Sequence, residues 1–86
     1  MSVNNEREKD LIQFMCDVCD ELGVISSSFY YGINNITFEL FNVKSGMGMR
    51  MTTNRDDLRA CPEQIYQQRK KVIKMDITNK LIKGVK

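Results

Sequence analysis

One segment of the sequence, residues 29–53, constrains the fold most, because it carries nearly all of the β-strand signal. Asn34 and Asn35 lie between two apolar runs, and asparagine tolerates the positive φ that a two-residue hairpin turn requires. A second connection, residues 43–46, ends in Gly46 and leads into a methionine-rich run. The segment therefore predicts a three-stranded antiparallel meander.

The two predicted turns agree on one apolar face, because side chains alternate along a strand. The first turn places Ile33 opposite Ile36, and the same pairing brings Phe29 opposite Leu40. The second turn places Met51 opposite Phe38. The predicted inner face consists of alternating apolar residues: Phe29, Tyr31, Ile33, Ile36, Phe38, Leu40, Met49 and Met51. A slip of one residue in either pairing would destroy this agreement.

The same pairing predicts what the outer face of the sheet presents. Tyr30, Glu39 and Arg50 fall in one row across the strands, Thr37 faces Thr52, and Phe41 faces Gly48. Aromatic side chains beside an arginine are typical of protein interfaces. The predicted protein-binding residues are Tyr30, Glu39, Phe41 and Arg50. Both edges of the meander are also open, and the third strand could pair with a partner or a second copy.

An amphipathic helix is predicted before the meander. Asn4 or Asn5 caps it, and apolar residues recur at helical spacing at Leu11, Met15, Val18 and Leu22, with Ile12 and Cys19 widening the stripe. Gly23 ends the helix. The following serines, residues 26–28, are interpreted as a polar linker into the sheet.

The last third of the chain predicts a second amphipathic helix. Residues 53–57 have the pattern of a helix cap and first turn, which Pro62 interrupts. Pro62 fits the first turn of a new helix that extends to residue 74 or on to residue 83. Arg69, Asp76 and Lys80 interrupt its apolar face. Either the helix breaks near Met75-Asp76, or these three residues pair with one another or with the acidic first helix.

Together these elements predict an α+β fold, in which two helices cover one face of the meander in the order α-β-β-β-α. At 86 residues the chain is one domain. We expect a disordered N-terminus over residues 1–5, the domain over residues 6–83 and a short tail over residues 84–86. The polar, acidic start is unlike a secretory signal, and three cysteines without such a signal indicate reduced thiols in the cytoplasm.

The sequence offers few residues for catalysis. It contains no histidine, and its acidic pairs are sequence neighbours. Cys16 and Cys19 form a C-x-x-C motif in the interior of a helix, where no helix N-terminus lowers a thiol pKa, so a structural role is favoured over a redox role. A structural zinc site needs four ligands, and only Cys61 remains. We therefore expect a protein that is not an enzyme and has neither metal nor cofactor.

Charge is unevenly distributed along the chain. Residues 1–43 hold two basic and seven acidic residues, and residues 44–86 hold eleven basic and four acidic ones. This asymmetry favours either an anionic partner or mutual compensation between the two helices. The nucleic-acid-binding alternative uses the basic last helix: Tyr66, Arg69, Lys70, Lys71 and Lys74. Double-stranded-RNA-binding domains share the predicted element order, but their Gly-Pro-x-His loop motif is absent.

The leading hypothesis from the sequence is a small cytoplasmic protein-binding module. Its size and its many asparagines and methionines are typical of an inhibitor or regulator encoded by a phage or mobile element. Its expected partner is another protein, a host or regulatory target. Nucleic acid is the alternative, a homodimer through an edge strand is possible, and no membrane partner is expected.

Overall fold

The computed structural model describes residues 3–83, with side chains from residue 6 onward. Its elements, in chain order, are helix α1 (Val3–Leu22), strands β1 (Ile25–Tyr31), β2 (Asn35–Asn42) and β3 (Met47–Asn54), the short helix α2 (Arg55–Ala60), helix α3 (Glu63–Ile77) and a π-helical turn (Thr78–Ile82). The strands form one antiparallel sheet in the order β1-β2-β3. The predicted α+β fold is confirmed. The predicted N-terminal segment, residues 1–5, overlaps α1 at residues 3–5, whereas residues 1–2 and the predicted tail, residues 84–86, lie outside the described residues.

The pairing of β2 with β3 is the predicted one. Phe38 lies opposite Met51, and Phe41 lies opposite Gly48. Thr37 faces Thr52, and their hydroxyl oxygens are 3.1 Å apart. The connection turns at Gly46, whose φ of +75° is a conformation that glycine adopts without strain.

The predicted pairing of β1 with β2 is wrong by two residues. Phe29 lies opposite Phe38, whereas Leu40 was predicted, and Tyr31 lies opposite Ile36. The turn is longer than predicted: Gly32 closes it by donating its N–H to the Asn35 carbonyl at 2.8 Å. Neither asparagine has a positive φ. Ile33 therefore lies in the turn, 88% exposed, and does not join the inner face.

Strand β1 begins earlier than predicted and contains a β-bulge. Residues 26–28, interpreted as a linker, lie within the strand, and the register shifts between Ser26 and Ser28. Ser27 is the extra residue, and its hydroxyl donates to the Glu39 carbonyl at 3.1 Å. Because a bulge changes the alternation of side chains, Ile25 falls opposite Phe41 on the outer face.

The hydrophobic core lies between the inner face of the sheet and the helices. Its central residues are buried: Leu11, Met15, Val18, Ile36, Phe38, Leu40, Leu58, Ile77 and Leu81. The predicted stripe of α1 is confirmed, with Ile12 and Leu22 partly buried at its margins. The predicted core is too wide at the β1 edge, where Phe29 and Tyr31 are almost half exposed.

A buried ionic contact that the sequence did not predict joins α1 to α2. Glu8 is 2% exposed and accepts hydrogen bonds from the Arg55 guanidinium at 2.9 and 3.2 Å and from the Tyr31 hydroxyl. Arg55 also donates to the Gly32 carbonyl at 3.0 Å. Burial alone would raise the pKa of Glu8, but these hydrogen bonds and the Arg55 charge outweigh it and lower that pKa.

The acidic first helix compensates much of the charge on the basic helix α3. Lys70 donates to Asp10 at 3.0 Å, and Lys74 donates to Glu21 at 2.7 Å. Helix α3 does not break at Met75-Asp76 but continues into the π-helical turn. Compensation between the helices therefore accounts for part of the uneven charge.

Candidate protein-binding surface

The outer face of the sheet has an ion pair at its centre. Arg50 on β3 donates from Nε and Nη2 to the same carboxylate oxygen of Glu39 on β2, at 2.9 and 2.7 Å. Their side chains are 70% and 37% exposed. Register alone brings the two residues together, because they are directly opposed in the β2–β3 pairing. The centre of the face is therefore polar but electrically balanced.

Tyr30 lies toward one end of this face. It is 65% exposed and lies opposite Thr37, not in the row of Glu39 and Arg50 as predicted, because the β1 register is shifted. Its ring packs against Gly32, where an added Cβ would lie 2.6 Å from Tyr30 Cε2. Any larger residue at position 32 would displace the ring, so the Gly32 backbone supports one side of it.

Phe41 lies toward the other end of the face. Its ring covers Gly48, where an added Cβ would be 3.4 Å from Phe41 Cδ1 and 3.2 Å from the Leu40 carbonyl. Ile25 lies opposite Phe41 on β1 and is 49% exposed. The sequence pattern does not predict Ile25 on this face, because the Ser27 bulge that moves it there carries no clear sequence signal.

The four predicted residues thus share one sheet face. Four residues along β2 separate the Tyr30 row from Phe41, which is about 13 Å. Burial alternates along β2: the residues that face the helices are buried, whereas Thr37, Glu39 and Phe41 on the outer face are partly exposed. Within residues 6–83, the helices therefore leave this face of the sheet uncovered. The face thus has an aromatic side chain toward each end and a balanced ion pair between them.

The residues of the nucleic-acid alternative do not form one exposed surface. Tyr66 is buried, and its hydroxyl donates to Asp10. Burial and that hydrogen bond raise the pKa of Tyr66. Lys70 and Lys74 are held by the carboxylates of α1, which leaves Arg69 and Lys71 as the exposed cations of that set.

The three cysteines are free thiols in different environments. Cys16 is exposed, and Cys19 and Cys61 are buried. Burial, with smaller contributions from Cys16 and Asp20, raises the pKa of Cys19. In residues 6–83, no three side chains of the metal-binding types come together.

Comparison with known protein families, with curated proteins and with solved structures finds no match for this chain. No helix in the described part of the chain is long and apolar enough to cross a membrane.

Proposed function

We propose that this protein is a small, non-enzymatic protein-binding module that acts as an inhibitor or regulator through the outer face of its sheet. One observation carries the proposal: an uncovered sheet face has an aromatic side chain toward each end and a balanced Arg50–Glu39 pair between them. Tyrosine and arginine are enriched among the residues that dominate binding energy at interfaces.

The anchors are positioned before a partner arrives, which supports the proposal. Tyr30 packs on Gly32 and Phe41 packs on Gly48, so each ring has a backbone surface beneath it. Ordering a side chain on binding costs about 0.5–1.5 kcal/mol, and rings that are already held avoid part of this loss. The face therefore favours a partner with two apolar recesses that are offset by about 13 Å along the strand direction.

The proposed partner is a folded protein in the same compartment. Because the Glu39 and Arg50 charges cancel locally, apolar burial and hydrogen bonding would contribute more to the affinity than long-range attraction. The free thiols suit a cytoplasmic protein. The size and composition remain those expected of a regulator encoded by a phage or mobile element.

The test is capture from a lysate of the native host, with and without nuclease, using the wild-type chain and a Tyr30→Ala/Phe41→Ala variant. The proposal predicts at least one protein that survives nuclease treatment and is lost with the double variant. A matched control, Ile33→Ala/Met75→Ala, removes two exposed apolar side chains outside this face and should retain the partner. Loss of all captured protein after nuclease would instead favour the nucleic-acid alternative.

A further inference from the structure

A second surface lies on the opposite side of the molecule from β1, where α3 passes the open edge of β3. A groove of about 470 Å³ separates them, with Met51 and Thr53 on the strand side and Val72 and Ile73 on the helix side. The apolar side chains Ile65 and Val72 on this flank of α3 are 43% and 54% exposed. The flank is therefore apolar but incompletely covered.

Arg69 and Asp76, which interrupt the apolar pattern of α3, both line this groove. They are seven residues apart, so they lie on one flank about 10 Å from each other along the helix. Both are exposed, and neither takes part in an ion pair within the described residues. This flank of α3 thus presents one positive and one negative charge that cannot reach each other, and Asp57 on α2 adds a second negative charge to the groove.

This pair of charges is self-complementary. Its midpoint falls between residues 72 and 73, so an antiparallel second copy of α3 would place each Arg69 against the other copy's Asp76. Val72 would lie at the centre of the contact. A parallel arrangement would oppose like charges. The exposed stripe on α3 has the four-, three- and four-residue spacing of packed helix pairs: Ile65, Arg69, Val72 and Asp76.

The open edge of β3 fits the same symmetry. Because the Asn35 carbonyl accepts the Gly32 N–H, the backbone of Asn35 and of every second β2 residue after it bonds to β1. The backbone of the residues between them bonds to β3. The backbone groups of Arg50 and Thr52 therefore point away from the sheet. Antiparallel pairing of two β3 strands about Met51 would join Arg50 of each copy to Thr52 of the other. Met51 lines the same groove as Val72 and Ile73.

We infer that the occupant of this groove is a second copy of the chain, in a two-fold dimer that pairs β3 with β3 and α3 with α3. In a two-fold dimer the same surface of both copies meets, so each residue contacts its counterpart's partner, as Arg69 and Asp76 would here. The dimer has a continuous six-stranded sheet, and the axis is perpendicular to it. Both outer faces then point the same way, which gives one continuous surface twice the area of the monomer's.

Sedimentation velocity over a concentration series tests this dimer with paired charge reversals. Arg69→Asp and Asp76→Arg each oppose like charges across the axis, so each variant alone should dimerise at least about tenfold more weakly than the wild type. An equimolar mixture of the two variants restores both ion pairs and should form a mixed dimer. Lys71→Asp, an exposed charge reversal off this flank, is the matched control and should dimerise like the wild type.

The mixed dimer separates pairing from damage to the fold, because two damaged chains would not restore each other. Circular dichroism should show native helix content in every variant. A wild-type chain that stays monomeric at millimolar concentration would overturn the inference. So would a dimer that both single reversals leave unchanged, or a mixture of the two variants that stays monomeric.

Discussion

Glu8 is a carboxylate that the fold keeps ionised in a nearly dry position. It accepts hydrogen bonds from Arg55 and Tyr31 and so joins α1, the β1–β2 turn and α2. A buried charge is tolerated only when it is paired and hydrogen-bonded. The sequence could not identify this contact, because Arg55 is 47 residues away and Glu8 resembles any acidic residue in a first turn.

Glu8→Gln should therefore destabilise the protein at neutral pH by about 1–3 kcal/mol, because the amide cannot accept two charge-assisted bonds. The folded pKa of Glu8 lies below its ordinary value of 4.5, so its stabilisation is present above that value. It is lost as the pH falls through the folded pKa. Urea unfolding should thus show a difference in unfolding free energy between the wild type and Glu8→Gln that is smaller at about pH 3 than at neutral pH. Glu6→Gln, at an exposed position, is the control; an equal loss there would contradict this account.

The two cysteines of the C-x-x-C motif should differ in reactivity. Cys16 is exposed, whereas burial raises the pKa of the Cys19 thiol and shields it from reagents. Alkylation of the native protein, followed by peptide mass spectrometry, should modify Cys16 well before Cys19. Equal rates at the two positions would show that Cys19 is not the structural residue proposed.

At the scale of elements, the end of β2 is tied to the π-helical turn by one side chain. Asn42 is buried, and its amide donates to the Leu81 carbonyl at 2.7 Å. Its oxygen accepts the Lys44 N–H at 3.0 Å. The carbonyls of a last helical turn lack donors within the helix, so Asn42 supplies one from the sheet.

Replacing Asn42 with alanine should cost about 1–3 kcal/mol of unfolding free energy, because it leaves a buried carbonyl without its donor. Chemical denaturation of the variant measures this loss directly. Asn35→Ala, at an exposed position in the same strand, should change the unfolding free energy far less. A comparable loss of unfolding free energy in both variants would mean that the strand propensity of asparagine, and not the Asn42 hydrogen bond, causes the loss.

The sequence predicted the register of one strand pair correctly and that of the other incorrectly. The β2–β3 register followed from opposed pairs such as Glu39 with Arg50, which agree with the turn at Gly46. The β1 register did not, because three serines carry no apolar pattern and the Ser27 bulge leaves no local signal. The outer face was predicted in composition, but the position of Tyr30 within it and the presence of Ile25 depend on the bulge and the longer turn.

At the scale of the whole molecule, the helices cover one face of a three-stranded sheet and leave the other open. Ion pairs between α1 and α3 neutralise part of the basic helix, so the charge asymmetry of the sequence is partly internal. We propose that the open outer face, with Tyr30 and Phe41 as its anchors, is the surface that recognises the partner.

The most direct test is isothermal titration of the captured partner with purified wild-type chain and with the Tyr30→Ala/Phe41→Ala variant. Two interface anchors predict an increase in Kd on the order of thirtyfold or more, since each truncated anchor costs at least about 1 kcal/mol. Matching circular dichroism spectra would show that the variant is folded, and Ile33→Ala/Met75→Ala should bind like the wild type. A change in Kd of less than about twofold for the folded double variant would contradict the assignment of the outer face.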